Sequence, residues 1–475
     1  MRKPTLGAGL VLPDDIWQCV ACFIPHENLP RLISVNRAFY NIILDAKYSE
    51  VFWAKLDGPM LRSLVLLRNP SIAKRVRRLH VRAWFIEYLL RKDSLYRPSY
   101  VVCSKRWVAR HIRLPSTPIR LTPSSGGSSP AVSDVLLAMT EAARLMTFVT
   151  EYSFEWRDLS PTSDTLLFLQ SARTAFGSSL RKLTLHAQLR NFRNLLSTVD
   201  FDNLEELELN FDHDQEDPVD EKEDEVLANS IAPFINHFRR TIGTLVISSA
   251  SKTDLSSLFR ALQPFPHLRK LVVRLSFDDT HLSDPRGLVQ VLRTNQDTLS
   301  NVELGRSFGA SAEGMDTSTW PNFSKAILSD REVLLNLNTL KTPILETFSH
   351  TMTCLHRSAN TLTSLSLVHS FLKDDELAAL VDSFAHRDFD TGLKYLQTGV
   401  THATPAHFDL LASRLPGLVK LTLVVLESSM LVASVLFDIW DGLAHGNLAF
   451  KLRWQCKSGY FTLYFRRCIV HESLV

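Results

Sequence analysis

One spacing recurs along this chain: an apolar residue, two others, an apolar residue, one other, an apolar residue. It opens at Val76-Arg-Arg-Leu79-His-Val81 and returns as Leu180-Arg-Lys-Leu183-Thr-Leu185 and Leu204-Glu-Glu-Leu207-Glu-Leu209. Further copies are Ile242…Leu245…Ile247, Leu268…Leu271…Val273, Leu299…Val302…Leu304, Leu362…Leu365…Leu367, Leu393…Leu396 and Leu418…Leu421…Leu423. Weaker ones fall at Leu337…Leu340 and near Leu145…Phe148. Alternation over the last positions puts these side chains on one face of a short strand. Between copies a helical period takes over. Leu255, Leu258, Phe259 and Leu262 share a face after Asp254, as do Leu377, Leu380, Val381 and Phe384 after Asp374-Asp375. Thr404-Pro405 reads as a cap and first-turn proline ahead of Phe408, Leu411 and Leu415. Strand, turn and returning helix, repeated, predict an α/β solenoid with parallel strands on one face and helices on the other. From Leu180 onward the copies start 24 to 38 residues apart, so the repeat is irregular.

The first fifty residues follow a different pattern. Ile16, Cys19, Val20 and Phe23 fall at i, i+3, i+4 and i+7, the stripe of one amphipathic helix, which Pro25 ends. Asn28 can cap a second helical stretch carrying Leu32, Val35, Phe39 and Ile42. A forty-residue cluster with so few apolar residues makes a poor independent core, so it should lean on a partner or on the rest of the chain.

This block resembles an F-box. The resemblance lies in Leu12-Pro13, Asp15-Ile16, Val20, Ile24-Pro25, Leu29, Leu32, Val35-Asn36-Arg37, Phe39 and a closing Trp53. It departs mildly in having Ile24 where leucine is usual and Asn36 where serine or cysteine is common. The repeats that follow resemble the divergent leucine-rich repeats of fungal F-box proteins. The resemblance implies a substrate-recognition subunit of an SCF-type cullin–RING ubiquitin ligase. Its F-box would dock on a Skp-type adaptor through Leu12, Pro13, Ile16, Val20, Ile24, Leu29, Leu32, Val35 and Phe39. Those positions supply both the adaptor-facing surface and the packing behind it, and sequence does not separate the two roles. The alternative is a leucine-rich-repeat scaffold outside ubiquitin transfer.

The expected organisation is an N-terminal segment 1–9, the helical block 10–56, and a basic linker and first repeat region 57–112. A Pro/Ser/Gly-rich loop 113–134 and the irregular solenoid 135–475 complete it. The final runs around 448–454 and 460–467 are strand-like and can close the open end of the sheet. The net charge of +3 hides two blocks. Residues 61–120 hold fifteen Lys or Arg and two acids, whereas 212–225 hold nine acids and one lysine, an insertion within one repeat. The basic block suggests that Arg75, Arg77 and Arg78 recognise a phosphorylated or acidic partner segment.

No uninterrupted apolar run reaches the roughly 20 residues that span a bilayer. The first residues are too soon followed by charge for a signal peptide. Six irregularly spread cysteines form no disulfide framework, which fits the cytosol or nucleus and makes the sequon Asn322-Phe323-Ser324 accidental. Nucleophile-elbow, phosphate-loop and zinc-protease motifs are missing, and Gly309-Ala-Ser311-Ala-Glu-Gly314 has the wrong spacing. Cys19-Val-Ala-Cys22 lacks two further zinc ligands, and Cys354, His356, His402 and His407 are isolated. The expectation is no catalysis, no metal and no cofactor. Target binding would use strand positions that face outward, among them Lys182, Glu206, Glu208, Lys270, Glu303, Tyr395 and Lys420, with Thr184, Thr244, Val246, Val272, Asn301, Ser364, Ser366, Gln397 and Thr422 alongside. Their mixed charge suits a protein partner and argues against nucleic acid, which would demand a basic stripe.

Overall fold

The computed structural model describes residues 12–25, 27–96, 131–157, 159–197, 201–212, 223–250, 253–275, 280–305, 321–385, 391–425, 450–457 and 460–467. The expected segment 1–9, most of the loop 113–134, most of the acidic run and the glycine motif 309–314 lie outside these residues. The chain is α/β, with parallel strands alternating with helices, and its contacts divide it into two compact units. The first comprises residues 1–187 and 194–204, and the second 188–193 and 205–475.

In the first unit, strands β1 (Glu50–Trp53), β2 (Arg78–Arg82), β3 (Glu151–Glu155) and β4 (Lys182–Gln188) pair side by side in chain order, all parallel. Helices Gly58–Leu66, Trp84–Tyr96, Val132–Arg144 and Ser163–Phe176 lie between them in sequence. This is the crossover that parallel neighbours need. Val51, Leu79, Tyr152 and Leu183 occupy one register row, and all are buried. Aromatic side chains fill the space beneath: Trp53 lies 6.2 Å from Phe168, and Tyr152 meets Phe176 edge-on at 5.4 Å.

The structure shifts two expectations here. The copy near Leu145…Phe148 is carried instead by Val149, Tyr152 and Phe154, which are buried, while Phe148 is exposed. Trp53, read as the end of the helical block, is the last residue of β1. The spacing Tyr48…Val51…Trp53 is therefore a repeat copy hidden within that block.

The second unit carries β5 (Glu206–Asp212), β6 (Thr244–Ser249), β7 (Lys270–Arg274), β8 (Asn301–Gly305), β9 (Thr339–Thr342), β10 (Ser364–Leu372), β11 (Tyr395–Val400) and β12 (Lys420–Val425). They are parallel and again in chain order. After β12 come two antiparallel strands, β13 (Phe450–Lys457) and β14 (Tyr460–Arg467), with β14 paired to β12. They cover the free edge of β12, as the two final strand-like runs suggested.

One row of this sheet reads Leu207, Leu245, Leu271, Val302, Leu340, Leu365, Leu396 and Leu421, each opposite the next and all buried. The residue three before each of the first seven is also buried: Leu204, Ile242, Leu268, Leu299, Leu337, Leu362 and Leu393. The weak copy at Leu337…Leu340 is thus a full strand. Asn322 of the sequon is exposed, but Phe323 and Ser324 are buried in the helix Pro321–Ser329.

Gly287, near the start of helix Arg286–Thr294, lets that helix approach its predecessor. A Cβ there would lie 2.7 Å from the Arg260 backbone nitrogen and 3.0 Å from the Phe259 carbonyl carbon. Alanine would gain about 1 kcal/mol of helix propensity but lose about 1–3 kcal/mol to overpacking against backbone that cannot step aside. Gly287→Ala is expected to lower the urea midpoint of unfolding, and an unchanged midpoint would refute this packing account.

Asp254 joins the start of helix Ser256–Ala261 to the next repeat. It accepts from the Ser256 backbone N–H at 3.0 Å and hydroxyl at 2.6 Å, from the Ser283 N–H at 3.2 Å, and from the Ser283 hydroxyl. Burial pushes its carboxyl up, but these hydrogen bonds outweigh it and hold the group below the ordinary carboxylate range. A depressed folded-state value stabilises above the unfolded pKa of about 3.9, and that contribution fades as pH falls through the folded value. Asp254→Ala should cost about 1–2 kcal/mol at pH 7. The gap from wild type, followed by urea titration, should narrow below about pH 4.

Candidate docking surface

The N-terminal block belongs wholly to the first unit. It consists of α1 (Asp14–Cys22), a 3-10 turn Leu29–Leu32 and α2 (Arg37–Tyr48). The second helical stretch expected after Asn28 is broken in two, because Asn36 takes extended backbone and its side chain accepts from the Phe39 N–H at 2.8 Å. Asn28 makes no side-chain cap. Two aspartates in the first turn of α1 suit the positive end of the helix dipole.

Leu29, Phe39 and Ile43 form the block's small buried core, with Trp17, Ala21, Ile24, Leu32 and Ile42 packed against it. Trp17 and Phe39 set their rings 5.3 Å apart. Consequently α1 turns the face containing Trp17 and Ala21 inward. The apolar stripe noted in the sequence looks out: Ile16 is 42% exposed, Val20 39% and Phe23 88%. Leu12, Pro13 and Cys19 are exposed beside it, and Val35 is 58% exposed. The nine positions named from sequence therefore separate into three groups. Leu12, Pro13, Ile16, Val20 and Val35 are surface, Leu29 and Phe39 are core, and Ile24 and Leu32 lie between.

Among the described residues thirteen large apolar side chains are exposed, and seven of them fall between Leu12 and Tyr40. Scattered apolar residues need no explanation, whereas so dense a group makes this the candidate docking surface among the described residues. Phe23, Ile33 and Tyr40 belong to it and were not singled out from sequence; only the stripe position of Phe23 hinted at its role.

Arg75 fastens this block to the sheet. Its guanidinium donates to the Asn41 carbonyl at 3.2 Å, the Asn41 side chain at 2.9 Å and Asp45 at 2.6 Å. Arg78 lies 3.4 Å from Glu50, and Arg77 donates to the Lys74 carbonyl at 2.8 Å while covering the Phe148 ring. These three arginines, expected to meet a phosphorylated or acidic partner, are thus engaged within the chain. The remainder of the basic run beyond Tyr96 lies outside the described residues.

The outward strand positions are less uniform than expected. Val272, Ser366 and Thr422 are buried, because small side chains on strands about 4.8 Å apart are roofed over by larger neighbours. Ser366 donates to Gln397 at 3.0 Å, and the Tyr395 hydroxyl donates to the same oxygen at 2.8 Å. Lys420 sits over the Tyr395 ring at 5.0 Å. Glu303 receives Lys341 at 2.7 Å and Arg274 at 3.4 Å. Burial raises its carboxyl, yet Lys341 and Arg274 together bring it below the ordinary range. Lys270 is exposed; Lys182, Glu206 and Glu208 are half-buried.

Cys19 and Cys22 are both exposed, and no group of three His, Cys, Asp or Glu among the described residues could hold a metal ion. Burial pushes the Cys354 thiol up to about 11, which keeps it protonated and inert. His407 is buried against Asp374 at 3.1 Å and joins two helices. An open cleft of about 960 Å³ near Arg286 and Arg293 is lined by charges that pair across it, Arg286 with Asp284 and Arg293 with Glu332. No described helix is long and apolar enough to cross a membrane.

Arg75→Ala is expected to loosen α2 without disturbing the second unit. Losing these hydrogen bonds should cost about 1–3 kcal/mol locally. Amide hydrogen exchange should then quicken across residues 37–48 and stay unchanged in β5–β12; equal exchange in α2 would count against the clasp.

No protein-family model matches the chain, and no curated protein matches it.

Proposed function

We propose that this chain is a non-enzymatic substrate receptor of an SCF-type cullin–RING ubiquitin ligase. The N-terminal block serves as an F-box that docks on a Skp-type adaptor. The strand–helix repetition serves as an irregular leucine-rich-repeat solenoid that holds a target protein. The observation that carries this reading is that Leu12, Ile16, Val20 and Val35, positions where the resemblance calls for an adaptor, face solvent, with the exposed Phe23 beside them. The in-register rows of buried leucines support the repeat assignment. Free cysteines, two of them exposed, suit the reducing cytosol or nucleus. Ubiquitin transfer would then owe its rate to effective concentration, with chemistry supplied by the ligase's other subunits.

Co-expression with a Skp-type adaptor tests the reading. A stoichiometric complex is expected, and Ile16→Asp with Val20→Asp, or Leu12→Ala with Pro13→Ala, should weaken it about tenfold or more while the thermal unfolding profile stays that of wild type. Leu29→Ala and Phe39→Ala should instead unfold the block, since both are buried. Absence of a complex from well-folded protein would sink the assignment and favour a scaffold outside ubiquitin transfer.

A further inference from the structure

Phe52 and His80 sit opposite one another on β1 and β2, on the face turned away from the buried row. Their rings stack in parallel, with centroids 4.5 Å apart and an interplanar angle of 10°. Phe52 is 57% exposed, and β1 is the edge strand of its sheet among the described residues. Glu50 fixes the arrangement from the row below: its carboxylate lies 3.2 Å from His80 Nε2 and 3.4 Å from Arg78. The row above is also charged and self-paired, with Glu155 receiving Arg82 at 3.1 Å and His186 at 3.2 Å. Between these rows lies an uncharged strip. Ser153, opposite His80, has a hydroxyl without a partner among the described residues. Burial lowers the His80 pKa against the pull of Glu50, which favours an uncharged ring at neutral pH.

We propose that the Phe52–His80 stack anchors an uncharged peptide segment of the target protein, through an apolar side chain laid over the exposed Phe52 ring. The proposal rests on the reading of this chain as a target receptor and adds the chemistry of what is held. Aromatic residues with few rotatable bonds lose little entropy on binding and are enriched at interface cores. A partner bringing charge to this strip would have to be desolvated against the rings or break the pairs on either side, and both are costly. An uncharged segment avoids both. Its backbone can accept from Ser153 one strand further along.

The probe is an arrayed library of random twelve-residue peptides, screened against the full chain co-purified with the adaptor. Wild-type protein should enrich peptides with a Trp, Phe, Leu or Pro centre and no charged residue beside it. Phe52→Ala should weaken the best of them about tenfold or more, since that is the usual loss at an aromatic anchor. Phe52→Trp, which keeps a ring, and Phe148→Ala, at an exposed phenylalanine elsewhere, should bind as wild type does. Enrichment of charged peptides through Phe52, equal affinity of Phe52→Ala, or no enrichment at all would overturn the proposal. Adaptor retention in the same preparations separates this failure from failure of the receptor reading, because Phe52 lies outside the adaptor-facing stripe.

Discussion

A single carbonyl oxygen receiving two successive N–H groups from the next repeat sets the phase of this fold. In the first unit Ser49 accepts from Arg77 and Arg78, Arg77 from Thr150 and Glu151, and Thr150 from Arg181 and Lys182. In the second the series runs through Glu205, Gly243, Arg269, Ser300, Asn338, Thr363 and Lys394, at distances of 2.7 to 3.1 Å. Each carbonyl has two lone pairs, so both donors are satisfied at once as the strand begins. The buried rows follow from that phase. Once the start of each strand is set, its second and fourth residues face inward, and Leu207, Leu245 and Leu271 meet in register. Repeats of 24 to 38 residues can then share one sheet, because their extra length falls in the connections between strands.

The N-terminal block shows what happens when burial runs short. Its two helices and one 3-10 turn enclose only a small cluster, Leu29, Phe39 and Ile43, so a second apolar face is left over. Arg75 ties α2 to the residues just ahead of β2 through polar contacts, which leaves the apolar face of α1 uncovered. A block held by a clasp at one side and exposed at the other is suited to docking. A larger core would have hidden the same side chains.

The outward faces of the strands obey a different economy. Charges there pair across neighbouring strands, as Glu303 does with Lys341 and Arg274, and Glu155 with Arg82 and His186. Partly exposed pairs of this kind contribute little stability, but they cancel the local field. What remains available for recognition is then shape and apolar surface, which is why an exposed ring such as Phe52 stands out against the charged rows around it.

Periodicity was enough to determine the alternation of short strands with helices, the inward-facing leucines and most strand positions, because alternation and helical spacing are local properties of the chain. The resemblance over roughly residues 10–56 singled out the N-terminal helical block by the same local route. Tertiary structure alone decided which apolar residues are core and which are surface. Ile16, Val20 and Phe23 share a helical stripe as good as that of Trp17, Ala21 and Ile24, and only the placement of Phe39 and Ile43 selects between them. It also moved the strand copy from Leu145 to Val149, placed a strand at Glu50–Trp53 inside the helical block, and committed Arg75, Arg77 and Arg78 to partners within the chain. Each of these outcomes depends on residues tens of positions apart, a separation at which spacing along the chain carries no information about contact.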